Sequence, residues 1–204
     1  MVEARLLAAH NCGVVADSVV DVLGDLRLML NRAAAAQAFS NFGLAQVGNV
    51  IAAGPRSTDN PDPAVYVGIG DPNDATSKQY AQFRASEIPS LVAKRGPIAT
   101  QLGHQWAVFV YAEWENNFRP RIASAFGCLP DQVKAAVFGD LRCLRHDILH
   151  HGAVATEEWT GRCGVLRWFQ AGQSIVIEAE HIAEFMSLVP WDELENGTSV
   201  HSTG

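Results

Sequence analysis

The segment from Asp140 to Ala155, DLRCLRHDILHHGAVA, concentrates the side chains of this chain that can move protons or hold anions. Arg142, Arg145, His146, Asp147, His150 and His151 lie within ten residues, and three of the chain's seven histidines are among them. Histidine, with an ordinary pKa of about 6.5, can act as acid or base at neutral pH. Arginine stays charged, and its planar fork matches phosphate oxygens. On a helical wheel Arg142, His146 and His150 step by four into one polar stripe, with Arg145 bordering it. Val133, Val137, Leu141, Leu144 and Ile148 form an apolar stripe on the opposite side. The plain structural alternative is a solvated last turn, where the helix dipole favours cations.

Two chemistries fit these residues. The first uses a metal. His146-Asp147-Ile148-Leu149-His150 has the H-x-x-x-H spacing that places two imidazoles on one ion, and it mimics the zinc-peptidase H-E-x-x-H with aspartate for glutamate. Aspartate is one methylene shorter and reaches a metal-bound water poorly. The extended motif needs glycine three residues after the second histidine and another histidine beyond. Gly152 comes one residue early and position 155 is alanine. A third ligand would have to come from afar, as Glu178 or Glu180 would. The second chemistry is cleavage of RNA through its own 2′-hydroxyl, which uses no metal and no cofactor. It needs a base for the 2′ proton, an acid for the leaving 5′-oxygen and a fixed cation for the phosphorane charge. Histidine suits the first two roles and arginine the third.

The run Arg145-His146-Asp147-Ile148-Leu149-His150 resembles the R-x(4–6)-H motif of the HEPN superfamily, where a polar residue follows the arginine, as His146 does here. Leu141-Arg142 before it and His151-Gly152 after it are similar to that family. So is the upstream helix, where Trp114-Glu115 is followed four residues later by Arg119. The resemblance covers residues 78–190. It implies an all-α, HEPN-like bundle that dimerises, and a metal-independent endoribonuclease of the kind found among toxins, antiphage proteins and CRISPR-associated nucleases. It implies His150 as the acid–base residue and Arg145 as the phosphate-binding residue. His146 would orient or bind substrate, and His151 is the alternative histidine at x5 spacing. Arg142 would support the site, and Asp147 either orients an imidazole or is solvated. The implied partners are an RNA substrate, a second copy of the chain, and an antitoxin or defence partner. Toxins paired with a nucleotidyltransferase carry tyrosine two residues after the histidine; Gly152 stands there, so the resemblance does not imply that partner. A non-catalytic HEPN scaffold or RNA-binding subunit is the alternative, and the acidic balance of the chain favours it.

Geometry bears on the dimer. Residues five apart on an ideal helix are separated by 140°, so Arg145 and His150 do not face the same way. Two motif helices meeting at a twofold axis would supply two arginines and two histidines together. Upstream, Glu113 falls near the centre of the apolar arc of its helix and is expected to be buried and paired, with an arginine of the motif helix as a candidate. Glu115 and Arg119, four apart, are expected to form a helix-surface pair. Trp106 and Trp114 are expected in the core or an interface.

The elements that must position these groups are mainly helical. Val15, Val19, Val22, Leu26 and Leu30 predict a helix over 13–35, with Asp17, Asp21 and Asp25 on a solvated opposite face and a stop at 41–43. Pro55, Pro61, Pro63 and Pro72 exclude continuous helix over 54–76, which is expected to be a long irregular loop with Val65, Val67 and Ile69 as a short strand. A helix is expected over 77–94, burying Tyr80, Phe83, Ile88 and Leu91. Another is expected over 98–119, burying Leu102, Trp106, Phe109 and Val110 and bent or ended by Pro120. Asp131 is the expected N-cap of a helix over 132–151, with Gly152 at its end. A minor C-terminal strand is expected over 174–178 and a helix over 180–188 stopped by Pro190. Residues 196–204 read as a frayed tail. The sum is a single domain of four or five helices.

Composition adds limits. The net charge is −7, and residues 147–204, with two arginines against nine acids, account for all of it. That argues against coating nucleic acid by bulk charge. A local basic site is still present, since Arg119 to Arg145 holds five basic residues against Asp131 and Asp140. No run approaches the ~18 apolar residues of a membrane span. Glu3, His10 and Asp17 interrupt any signal-peptide core, so the cytoplasm is the expected location. The cysteines at 12, 128, 143 and 163 form no CxxC pair and read as free, semi-buried thiols.

Overall fold

Ser18 sets the start of the first helix. Its hydroxyl accepts from the Asp21 N–H at 3.2 Å, satisfying one donor that a helix start leaves open. In this computed structural model residues 17–54, 58–71 and 74–197 are described. From Ser18, α1 (Val19–Ala53) runs for 35 residues. Val22, Leu26 and Leu30 are fully buried, as their spacing requires. The expected stop at 41–43 does not occur. A glycine inside a helix costs only about 1 kcal/mol, and tertiary contact outweighs it. At Gly48 the helix packs so closely on Val92 that a Cβ would sit 2.7 Å from that side chain. The aspartate face is exposed but not simply solvated. Arg121 ion-pairs with both Asp17 and Asp25, at 2.8 and 2.7 Å.

The expected strand forms as β1 (Ala64–Ile69), and it pairs antiparallel with β2 (Lys78–Arg84), with a register shift between Val67 and Gly68. The helix expected over 77–94 is therefore corrected. Residues 78–84 find their backbone partners in β1, and the sequence KQYAQFR, with Tyr80 and Phe83, suits a strand. Tyr80 is 67% exposed rather than buried. Helix returns only at α2 (Ile88–Leu91), with Pro89 in its first turn, where a missing N–H costs nothing.

Next, α3 (Pro97–Glu113) passes through a π turn (Trp114–Phe118) into α4 (Arg119–Phe126). Pro120 neither ends nor breaks the helical path. The wider turn ahead of it absorbs the lost hydrogen bond. Gly127, at φ 64°, then ends α4 in the left-handed conformation that glycine adopts freely. Asp131 lies in a 3-10 turn (Pro130–Gln132) and does not cap the motif helix. That helix, α5 (Ala136–His150), begins at Ala135 without a side-chain cap and gives way to Gly152 at φ 60°.

The C-terminal part packs back over α5. Residues 174–178 are extended but make only an isolated bridge, Val154 to Ser174, in place of the expected strand. Ile175 and Ile177 are buried there. Two short helices follow, α6 (Ala179–Leu188) and α7 (Trp191–Glu195), separated by Pro190. The core joins α3, α5 and α6. Trp114 stacks on Phe138 at 4.0 Å, and Phe185 meets Phe138 and Trp106 edge-on. Buried aromatic and aliphatic side chains of this size each stabilise the fold by about 1.5–3 kcal/mol.

The architecture is thus mostly helical with one small two-stranded sheet. No helix among the described residues is long and apolar enough to cross a membrane. Cys128 and Cys143 are half-buried and Cys163 is buried, all as free thiols. Cys12, residues 13–16 of the first expected helix and 198–204 of the expected tail lie outside the described residues.

Candidate functional site

The motif helix α5 is fixed from two sides. Val137, Leu141 and Leu144 anchor it in the core. Two carboxylates seven residues apart, two turns along the same helix, hold the chain that returns past it. Asp140 accepts from the Val165 and Leu166 N–H groups at 2.6 and 2.8 Å. Asp147 accepts from the Thr156 N–H at 2.8 Å, the Thr156 hydroxyl at 2.9 Å and the Thr160 N–H at 3.1 Å. Of the two roles open to Asp147 in the sequence, the solvated one is corrected: its side chain has 0% exposure. Burial works against its charge, but the donors of Thr160 and Thr156 more than offset that and hold the carboxyl at about 2.

The fourth partner of Asp147 is His151. The imidazole Nδ1 lies 2.8 Å from Asp147 Oδ1. An ionised carboxylate only accepts, so Nδ1 carries the proton, and the neutral ring keeps its lone pair on Nε2. The His151 side chain is 40% exposed. A histidine oriented by a buried aspartate and open at its other nitrogen has the form of a general base. The turn that follows is strained in a way that serves this placement. Gly152 and Ala153 both take positive φ, at 60° and 58°, and the Ala153 N–H bonds back to the Asp147 carbonyl at 3.1 Å.

Around this pair the site fills in. The His146 ring lies 4.7 Å from that of His150 and 5.3 Å from that of His151. Its other neighbour is Trp159, stacked at 3.8 Å with an 18° tilt. Burial, then the charges of His150 and His151, push the His146 pKa below its usual value. The Arg142 guanidinium lies over the same Trp159 ring at 5.7 Å. Trp159 is the site residue that sequence reasoning missed. It sits in an irregular segment after two glutamates, where no spacing marks it.

Arg145 points toward α3. Its guanidinium lies over Tyr111 of α3, 5.7 Å from the ring centre. Among the described residues it makes no hydrogen bond or ion pair with His150 or His151. The two arginines are only partly separated: Arg142 lies over Trp159 beside the histidines, and Arg145 lies over Tyr111 of α3 while its charge still acts on His146.

The upstream residues also separate. Glu115 and Arg119 do form their pair, with Nη1 at 3.0 and 3.1 Å from the two carboxylate oxygens, and Arg119 also donates to the Val133 carbonyl at 3.0 Å. Arg119 therefore ties α4 to the segment before α5. Burial, then the Glu115 carboxylate, raise the Tyr111 hydroxyl above its usual range. Glu113 is corrected. It is half-buried, faces α1, and accepts from Asn117 at 3.2 Å rather than from an arginine of α5.

Among the described residues no three His, Cys, Asp or Glu side chains are grouped so as to hold a metal ion. Asp147 could not play the glutamate part of the zinc-peptidase motif, since its oxygens are spent on Thr156, Thr160 and His151. No family model, curated protein or solved structure matches this chain.

Proposed function

We propose that this chain is a metal-independent endoribonuclease of HEPN type that acts as a homodimer, in a toxin or antiphage setting in the cytoplasm. The observation that carries the reading is the His151–Asp147 pair, an exposed imidazole oriented by a buried carboxylate beside two more histidines and Arg142. Neutral His151 takes the proton of a ribose 2′-hydroxyl. The alkoxide attacks the adjacent phosphorus. Arginine stabilises the charge on the phosphorane, and a protonated histidine, His150, gives its proton to the leaving 5′-oxygen. The products are a 2′,3′-cyclic phosphate and a 5′-hydroxyl. No oxidant, metal or cofactor enters the balance.

The resemblance assigns His150 and Arg145 the leading roles; the contact of His151 with buried Asp147 supports His151 as base. Arg145, turned toward Tyr111, serves the histidines of a second copy better than its own. An apolar surface between α3 and α5 supports a contact with that copy. Phe109 and Leu149 are exposed at 49% and 48% and flank a shallow groove between α3 and α5, with Leu149 adjacent to His150. Apolar pairs so placed favour a protein contact.

The test is cleavage of an end-labelled structured RNA in excess EDTA by wild type, Arg145→Ala, His150→Ala and His151→Ala. Cleavage by wild type alone, leaving 2′,3′-cyclic ends, supports the assignment. Equal cleavage in all four, or none while the RNA still binds, removes it and leaves the RNA-binding scaffold.

A further inference from the structure

A cleft of about 540 Å³ opens between the π turn, the segment before α5 and α7, and the proton-transfer groups above do not use it. Trp114 and Phe138, buried and stacked with only 6° between their planes, close its inner end, and the half-buried Tyr111 ring lines it. Tyr111, Glu115 and Glu193 give it a polar wall, and Arg119, Lys134 and Arg142 bring positive charge. The uncapped first turn of α5 adds a partial positive charge. The volume falls within the range of small-molecule sites, roughly 300–1,000 Å³. Glycine at position 139 is unexplained by packing. It lines the cleft within α5, and a Cβ there would meet nothing within 4 Å. A side chain at that position would instead project into the open space.

The cleft is also joined to the histidines. Arg142 lines it and at the same time lies over Trp159, the ring on which His146 stacks. A ligand suited to such a place has a flat ring to lie beside Tyr111, groups that hydrogen-bond to the wall, and an anion for Arg142 and Lys134. We infer that the cleft is a nucleotide subsite. It takes one nucleotide of single-stranded RNA, with the base in the cleft and its phosphate on Arg142, next to the linkage presented to the histidines. The polymer and the neighbouring cut rest on the ribonuclease reading; nucleotide binding itself does not.

Two probes test this. Adenosine and uridine 5′-monophosphates are titrated by tryptophan fluorescence, and an uncleavable 2′-O-methyl hexaribonucleotide by anisotropy. Each is run with wild type, Gly139→Leu and Lys134→Ala. Wild type is expected to bind both. Gly139→Leu should bind at least about tenfold more weakly, and Lys134→Ala several-fold more weakly. Thermal unfolding of Gly139→Leu should be no lower than wild type, which shows that the cleft is filled rather than the fold lost. In cleavage assays Gly139→Leu should raise KM far more than it lowers kcat. Absence of binding by wild type, or unchanged affinity in Gly139→Leu, overturns the subsite even if RNA is cut. Nucleotide binding that Gly139→Leu abolishes, without cleavage by any variant, keeps the subsite and overturns the ribonuclease reading.

Discussion

Asp147 is the residue on which the site depends, and its ionisation gives a measurable signature. Its folded pKa, about 2, lies below the ordinary carboxyl value. Because its side chain is wholly buried, solvent does not screen its interactions. A depressed carboxyl pKa stabilises the fold at pH values above the unfolded pKa and ceases to do so as pH falls through the folded one. The contribution is roughly 2 kcal/mol at neutral pH, lost between about pH 5 and pH 1. Urea unfolding of wild type and Asp147→Asn should therefore differ by roughly 2 kcal/mol or more at pH 7, and the gap should narrow steadily below about pH 4. A constant gap would mean that Asp147 is not ionised where it lies. His146 gives a second test with the opposite sign. Its pKa is lowered first by burial, and Trp159 covers one face of its ring. Proton NMR titration should show that pKa moving up in Trp159→Ala. At this scale the sequence was half legible. The clustering of Arg142, His146, His150 and His151 is visible from spacing alone. The burial of Asp147 and the stack on Trp159 are not, because their partners at 156–160 lie in irregular chain with no periodicity to read.

Elements were legible where an apolar stripe had a single solution. Val22, Leu26 and Leu30 in α1, and Val137, Leu141 and Leu144 in α5, are buried as their spacing requires. Reading failed where a partner distant in the chain decided the outcome. Residues 78–84 carry apolar residues compatible with helix, yet all but Tyr80 find partners in β1 and the strand wins. Pro120 ought to end a helix, and the π turn before it carries the helix past. The same competition between local preference and tertiary contact predicts opposite outcomes for two helical glycines. Alanine is favoured over glycine in a helix by about 1 kcal/mol. At Gly139 a Cβ meets nothing, so Gly139→Ala should raise the thermal midpoint. At Gly103 of α3 a Cβ would run into the Ile177 carbonyl and come within 3.1 Å of the Ile177 side chain. Gly103→Ala should therefore destabilise, by about 1–3 kcal/mol, despite its better propensity. Calorimetry of both variants checks the pair. A stabilised Gly103→Ala would show that the extended segment at 175–177 does not press on α3.

For the whole molecule, the placement of Arg145 over Tyr111 turns a question of side-chain direction into one of assembly. If each cutting site takes its arginine from one copy and its histidines from the other, a dimer has two sites related by its twofold axis. Arg145→Ala and His151→Ala, each inactive as a pure dimer, then complement each other. In a mixed dimer one site combines the intact arginine of one copy with the intact histidine of the other, while the second site lacks both. Half of randomly exchanged dimers are mixed, and each keeps one of two sites, so about a quarter of wild-type cleavage should return on mixing. Sites contained within one copy would return none, because every copy is defective. The apolar pair at the α3–α5 groove supplies the control. Leu149→Asp or Phe109→Asp puts a charge where the second copy would bury an exposed side chain, so sedimentation should show monomer. Both cleavage and complementation should then disappear, with Asp147 and His151 undisturbed. Dimers that persist in both variants would place the contact elsewhere on the molecule. A monomer that still cuts would return Arg145 to the histidines of its own chain.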